Sequence, residues 1–394
     1  MLNINPYRPG AGTMPSYLAG RDEIIEEATK MFQYMKLGFS CQSIIFSGLR
    51  GVGKTVLINK LFSIAEQNGC YCKHIEVENQ NDFVSQIITC SKLYLQQHST
   101  KTKIKTIFDK TVNTLKSLQV SFCPQDGSFT LSQQDKFLYE STSLAQSMSE
   151  LFCSLGEVAK ETEVPICLFV DEIQCMDKKE LGSLITAIHR SNQLDYPIVV
   201  IAAGLPKIYK MLSDERSYSE RLFVYKEIGN LNKEQAKRAI VEPIKKLGVV
   251  YNENAIDKIY DVTKGYPFFI QQFCSIIFQE KDSNIITKDK VDELVERFLA
   301  ILDDGFFKVR YEKCSKTEKD FLFGMVKCGE LPCTISSVAN NLNKNTSQIS
   351  PTRGQLMNKG IIYSVRYSEL DFTVPEFTGF IQRLDEYKQW CEEN

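Results

Sequence analysis

The octapeptide GLRGVGKT at residues 48–55, directly behind the apolar run SIIFS and ahead of VLINKLFSIAEQ, constrains this chain more than any other feature. It satisfies G-x-x-x-x-G-K-[ST] in full, and a strand before it with a helix after it is the setting in which that pattern wraps phosphate. Glycines are required because backbone N–H groups must turn inward and approach phosphate oxygens with no Cβ in the way. The start of the following helix adds positive potential. Gly48, Gly51, Val52, Gly53, Lys54, Thr55 and Val56 are therefore the candidate nucleotide-binding residues. Lys54 is placed to reach the β- and γ-phosphates, and Thr55 to offer its hydroxyl to Mg²⁺.

Short apolar runs separated by long helical stretches surround this loop, which is the rhythm of a parallel α/β sheet. The runs are Ser43–Ser47, His74–Val77, Ile166–Val170 and Ile198–Ala203, with a fifth candidate at Val224–Ile228. The third leads into Asp171 and Glu172, and two carboxylates ending a buried strand are costly unless they serve something. Beside a phosphate loop, the first holds Mg²⁺ through water and the second polarises the attacking water. Asp171 joins Thr55 as a candidate metal-binding residue, and Glu172 joins Lys54 as a candidate catalytic residue.

From Asn232 onward apolar residues recur at three- and four-residue spacing, predicting a helical region. Beyond Phe306, helical patterns at Ile335–Leu342 and Gln348–Asn358 precede β-like runs at Ile361–Val365 and Leu370–Val374, an order that suggests a winged helix. Pro351 is read as lying early in the second helix, where it costs little. Phe306–Ser368 holds ten basic and four acidic residues. Gln348, Arg353, Gln355 and Arg366, with Tyr367 on the wing, are candidate DNA contacts, since Arg and Gln read base edges and lysines neutralise phosphate. Residues 91–121 carry six lysines against one aspartate, and PQDG at 124–127 reads as a hairpin turn.

The whole chain of 394 residues has 47 basic and 49 acidic side chains, so no global polycation is present and any basic surface is local. Its 13 cysteines include no CxxC pair and read as free thiols. Cys70, Cys72 and His74 alternate as on a strand. No apolar run approaches the roughly 20 residues of a membrane span, and no secretory signal opens the sequence, so a cytoplasmic location is expected.

The segments NPYRPGAGTMPSYLAGRDEII, GLRGVGKT, LFVDEIQ, IAAGLPKI, SYSERLF, KGYPFFIQQF and DDGFFKVRYEK together resemble the STAND-type P-loop ATPases, close to the AAA+ origin-recognition and initiator ATPases. The resemblance implies an α/β P-loop NTPase of ASCE/AAA+ type with a parallel sheet core (1–229), an all-helical lid (230–305) and a C-terminal winged helix (306–394). It implies ATP or ADP with Mg²⁺ as ligands, and an N-terminal segment placing Pro6, Tyr7, Gly20 and Arg21 near adenine. The alternative is an arm packed on the core, with Asp22 capping a helix. Arg221, with Arg216 nearby, corresponds to an arginine presented to a neighbouring subunit, or else is a surface arginine.

Two departures bear on mechanism. Ala202, Ala203 and Gly204 stand where a polar sensor usually ends the fourth strand, and Gly265-Tyr266-Pro267 stands where a lid arginine usually faces the γ-phosphate. Pro267 then touches adenine or ribose. Both losses imply slow hydrolysis and a nucleotide-held switch. Expected partners besides ATP are duplex DNA, a second copy of the chain or another protein, with no membrane. The winged helix is left open between DNA contact and internal packing. The rival functions are an ATP-dependent DNA-binding regulator or mobile-element helper, and a signalling adaptor without turnover.

Overall fold

A computed structural model describes residues 5–77, 82–98, 111, 112, 114, 115, 143–215, 219–366 and 368–393. Most of the lysine-bearing segment, the PQDG turn, Arg216 and Tyr367 lie outside the described residues. The chain separates into two compact units. One holds Gly20–Gly48 and Gly53–Gly229, the other Met1–Ala19, Leu49–Val52 and Asn230–Asn394.

The first unit is built on a five-stranded sheet in the order β2-β3-β4-β1-β5. Its strands are β1 (Ser43–Ser47), β2 (Tyr71–Glu76), β3 (Ile166–Asp171), β4 (Ile198–Gly204) and β5 (Phe223–Glu227), all paired in parallel. The central strands β1, β3 and β4 are buried at every residue, as continuous apolar runs with helices on both faces require. Edge strand β2 begins three residues before the predicted run. An edge strand needs no unbroken apolar run, and Tyr71, Cys72, Lys73 and His74 are only half-buried. Cys72 and His74 both sit on β2, and every described cysteine is a free thiol.

Around the sheet lie α1 (Asp22–Lys36), α2 (Lys54–Gln67), α3 (Asp82–His98), α4 (Leu144–Thr162), α5 (Lys178–Gln193), α6 (Ile208–Glu215) and α7 (Ser219–Leu222). Helix α2 packs on β2, β3 and β4, while α4 packs along α5. Asp22 does not cap α1. Arg21 occupies the cap position and Asp22 is the first helical residue, where its charge still favours the helix start.

The second unit begins with α8 (Lys233–Val241), β6 (Val250–Tyr251), α9 (Glu253–Thr263), α10 (Pro267–Gln279), β7 (Ile285–Ile286) and α11 (Lys288–Leu302). Asn232 and Gln235 form a capping box at the start of α8. A tight helical turn at Asp303–Phe307 and α12 (Lys308–Tyr311) lead to α13 (Lys316–Val326), β8 (Cys333–Thr334), α14 (Ile335–Asn341), α15 (Thr346–Asn358), β9 (Ile362–Arg366) and β10 (Glu369–Phe372). The order β8-β10-β9, antiparallel throughout, beside α13, α14 and α15 is a winged-helix arrangement. Helices α16 (Phe377–Arg383) and α17 (Asp385–Glu393) close the chain.

Pro351 is the sixth residue of α15 rather than part of its first turn, because the Asn345–Gln348 capping box starts the helix two residues before the predicted point. The winged helix shares its core with the helices before it. Phe307 stacks on Phe380 at 5.4 Å and meets Phe269 and Phe377 edge-on, while Arg383 clamps Asp303 through two hydrogen bonds of 2.7 and 2.6 Å. Among the described residues no helix is long and apolar enough to cross a membrane.

Candidate nucleotide site

Strand β4 lies between β1 and β3, so the loop leaving β1 and the carboxylates ending β3 emerge from the same end of the sheet, one strand apart. Thr55, the second residue of α2, bridges that gap, donating from Oγ1 to Oδ2 of Asp171 at 2.6 Å. Lys54 is buried and donates from Nζ to the carbonyl of Gly48 at 2.8 Å, while the Gly48 N–H donates to the Gly204 carbonyl at 3.2 Å. Gly53 takes φ +93°, a left-handed conformation that glycine adopts without strain.

Glu172 follows Asp171 at φ +51° and donates its own N–H to Oδ1 of Asp171 at 2.9 Å. Its Oε2 accepts from Nε2 of Gln174, whose Oε1 in turn accepts the Leu205 N–H at 2.9 Å. Gln174 was not singled out by the sequence, although it sits in LFVDEIQ two residues after Glu172. Gly204 explains the contact. A Cβ there would stand 2.7 Å from Oε1 of Gln174 and 3.0 Å from Ile173, so the place expected of a polar sensor is filled by Gln174 from the neighbouring strand's end.

In the second unit, Leu49–Val52 group with the helical and winged-helix residues. Tyr266, the middle residue of Gly265-Tyr266-Pro267, is almost fully buried and donates its hydroxyl to the Arg50 carbonyl at 2.6 Å. Burial pushes its phenol up to about 12, so it stays a donor at neutral pH. Pro267 is the first residue of α10 and half-buried, a position that suits its missing N–H. Tyr7 is buried, its ring edge-on to Phe278 and its hydroxyl donating to the Ile240 carbonyl. Pro6 accepts from Ser16, also within this unit. Arg21 and Gly20 belong to the first unit, where the Arg21 guanidinium donates to the carbonyls of Gly20 and Gly229 at 3.0 and 2.8 Å.

Gly51, at φ +78°, would bring a Cβ within 2.0 Å of the Tyr266 hydroxyl. Gly51→Ala is therefore expected to displace Tyr266 and weaken ATP binding by about ten- to a hundredfold, measured by nucleotide titration, with the sheet intact by circular dichroism. Val52 is buried and Val56 half-buried. Arg221 is exposed on α7, its carbonyl accepting from Gln42.

Of the winged-helix candidates, Gln348 is engaged in the capping box of α15 and Arg353 turns toward β9, its Nη2 3.5 Å from Ser364 Oγ. Gln355 and Arg366 are exposed.

A phosphate loop between a buried parallel strand and a helix, with a hydroxyl and a carboxylate meeting at the sheet's end, defines a P-loop nucleotide-binding domain. Residues 17–201, the stretch that holds the phosphate loop, the strands β1 to β3 and the first part of β4, match the family model described as the AAA ATPase domain. Residues 304–381 match a family described as a domain of unknown function (DUF8462), over the stretch that folds as the winged helix. Among curated proteins, none matches this sequence. The Walker-type ATPase of Pyrococcus abyssi superposes with a TM-score of 0.57 at 12% identity, over 95% of this chain and 99% of that one, a likeness of fold. Cdc6p from Pyrobaculum aerophilum gives 0.47 at 15% identity, over 97% of this chain and 96% of that one. Orc1 of Aeropyrum pernix, solved in complex with DNA, gives 0.44 at 12%, over 96% and 95%.

Proposed function

We propose that this protein binds ATP, hydrolyses it slowly with Mg²⁺, and uses the bound nucleotide as a conformational switch. The 2.6 Å hydrogen bond between Thr55 and Asp171 is the observation that carries this reading. It brings together two hard oxygen donors of the kind Mg²⁺ prefers. When bound, Mg²⁺ would neutralise charge on the β- and γ-phosphates. Lys54 would exchange the Gly48 carbonyl for phosphate oxygen, and the Gly51–Lys54 backbone would direct its N–H groups to the same oxygens. Glu172 would take the proton of the attacking water, oriented by Gln174. No group in this set adds a second cation against the γ-phosphate, which is why turnover is expected to be slow. Exposed Arg221 would supply that charge only from a second copy of the chain. Pro267 and Tyr7 are proposed on the nucleotide's base side, and 1–229, 230–305 and 306–394 as the three functional parts.

The test is ATP turnover by the full chain, with Mg²⁺ and with a chelator, with and without duplex DNA, alongside mass determination in each condition. Slow turnover lost on chelation supports the reading. Absence of turnover in every condition, with nucleotide tightly held, would replace it with a signalling adaptor.

The exposure of Gln355 and Arg366 favours a second reading, in which the winged helix holds duplex DNA. Under it, ATP-dependent DNA binding should weaken steeply as salt rises, and Arg366→Ala should lower the salt slope by about one.

A further inference from the structure

The second unit contains a cavity of about 300 Å³ that the nucleotide reading leaves unused. Arg50, Phe306, Arg310, Lys313 and Lys359 line it, four of its lining residues being cations and none an acid. The charges are unevenly compensated. Lys359 pairs with buried Glu318 at 2.6 Å and also donates to the Lys313 carbonyl at 2.8 Å. Arg50 has, among the described residues, a 3.2 Å hydrogen bond to the Lys359 carbonyl and no carboxylate partner, and its guanidinium lies against Gly360, where a Cβ would stand 3.0 Å from Nη1.

Arg310 is the telling residue. Its guanidinium carbon sits over the Phe306 ring, 3.9 Å from the centroid, a cation–π contact that offers its N–H groups no acceptor oxygen. Nη1 is buried and has no hydrogen-bond partner among the described residues. Burial lowers the pKa of Arg310 and the Arg50 charge adds to this, yet an arginine remains cationic at neutral pH. A buried charged donor without an acceptor is among the costliest arrangements in a folded chain.

We propose that this cavity is a binding site for a phosphate-class oxyanion, held between the guanidinium groups of Arg310 and Arg50 and the ammonium of Lys313. A tetrahedral dianion suits a cluster of three cations, one from the phosphate loop and two from α12 and the turn that follows it, and the planar arginine forks suit its paired oxygens. The volume admits inorganic phosphate with water, or the phosphate end of a nucleotide. Because Tyr266 holds the Arg50 carbonyl, the ligand bears on the backbone of the phosphate loop through one residue. The site does not depend on ATP being hydrolysed.

The test is titration of the full chain with inorganic phosphate at constant ionic strength, followed by calorimetry and by melting temperature, in wild type, Lys54→Ala, Arg310→Met, Arg310→Lys and Lys313→Met. Lys54→Ala weakens phosphate on the phosphate loop and is expected to keep the cavity's binding. Arg310→Met is expected to weaken that binding about tenfold or more, Arg310→Lys and Lys313→Met less. If Arg310→Met does not fold, Arg310→Lys and exposed Lys313 carry the comparison. Binding unchanged in every Arg310 and Lys313 variant, or abolished by Lys54→Ala, overturns the proposal. ADP added to Lys54→Ala separates the sources: competition with phosphate identifies a nucleotide's phosphate as the ligand, and its absence identifies free phosphate.

Discussion

Glu172→Gln is expected to lower ATP turnover by about a hundred- to ten-thousandfold, the usual contribution of a general base, while ATP affinity changes by about threefold at most. The substitution keeps the shape of the side chain and its capacity to accept from Gln174, and removes only its basicity. Lys54, Thr55 and Asp171, which would bind the phosphates and Mg²⁺, are untouched. Gln174→Leu separates positioning from chemistry. It leaves the Glu172 carboxylate as basic as before but removes both its donor and the acceptor of the buried Leu205 N–H. We expect turnover to fall about tenfold with KM unchanged, because a misplaced base costs rate rather than ground-state binding. Single-turnover measurements on both variants check the split. Wild-type turnover in Glu172→Gln would remove that residue from the chemistry.

The central strands were legible because a parallel strand covered on both faces has to be apolar throughout, and SIIFS, ICLFV and IVVIAA can hardly be read otherwise. The start of β2 was not, since an edge strand tolerates Lys73 and His74 and leaves no hydrophobic boundary to read. Gln174 was hidden for a different reason. Its role comes from the adjacency of β3 and β4, which brings residue 174 against residues 204 and 205, and no local pattern encodes that pairing. The sequence did show that Gly204 lacks a sensor side chain, but whether another residue fills the place is a question of strand order. Tyr266 was overlooked because its neighbour Pro267 carried the resemblance. The charge count near the winged helix was right as a sum, yet it gave no direction. Arg353 turns toward β9, Arg310 faces a cavity, and Gln355 and Arg366 face outward.

Gly265→Ala is expected to destabilise the protein by about 3–5 kcal/mol. Gly265 sits at φ +70°, and a Cβ there would stand 2.0 Å from the carbonyl oxygen of Leu231. That oxygen is backbone, so no rotamer change relieves the clash. The two segments are also joined by a hydrogen bond from the Leu231 N–H to the Gly265 carbonyl at 2.8 Å, which the necessary shift would break. Left-handed strain, overpacking and the lost hydrogen bond each contribute about 1 kcal/mol or more. At about 2–4 °C per kcal/mol for a unit of this size, Tm should fall by roughly 6–20 °C. Gly248 supplies the control, since it has the same φ of +70° but a Cβ placed there would meet nothing within 4 Å, so Gly248→Ala should cost only the backbone strain, about 1 kcal/mol. Equal losses in the two variants would show that backbone conformation alone demands glycine at 265. A much larger loss at 265 would show that the close approach of Leu231 fixes where Tyr266 begins its reach to the Arg50 carbonyl, and nucleotide affinity should then fall together with stability.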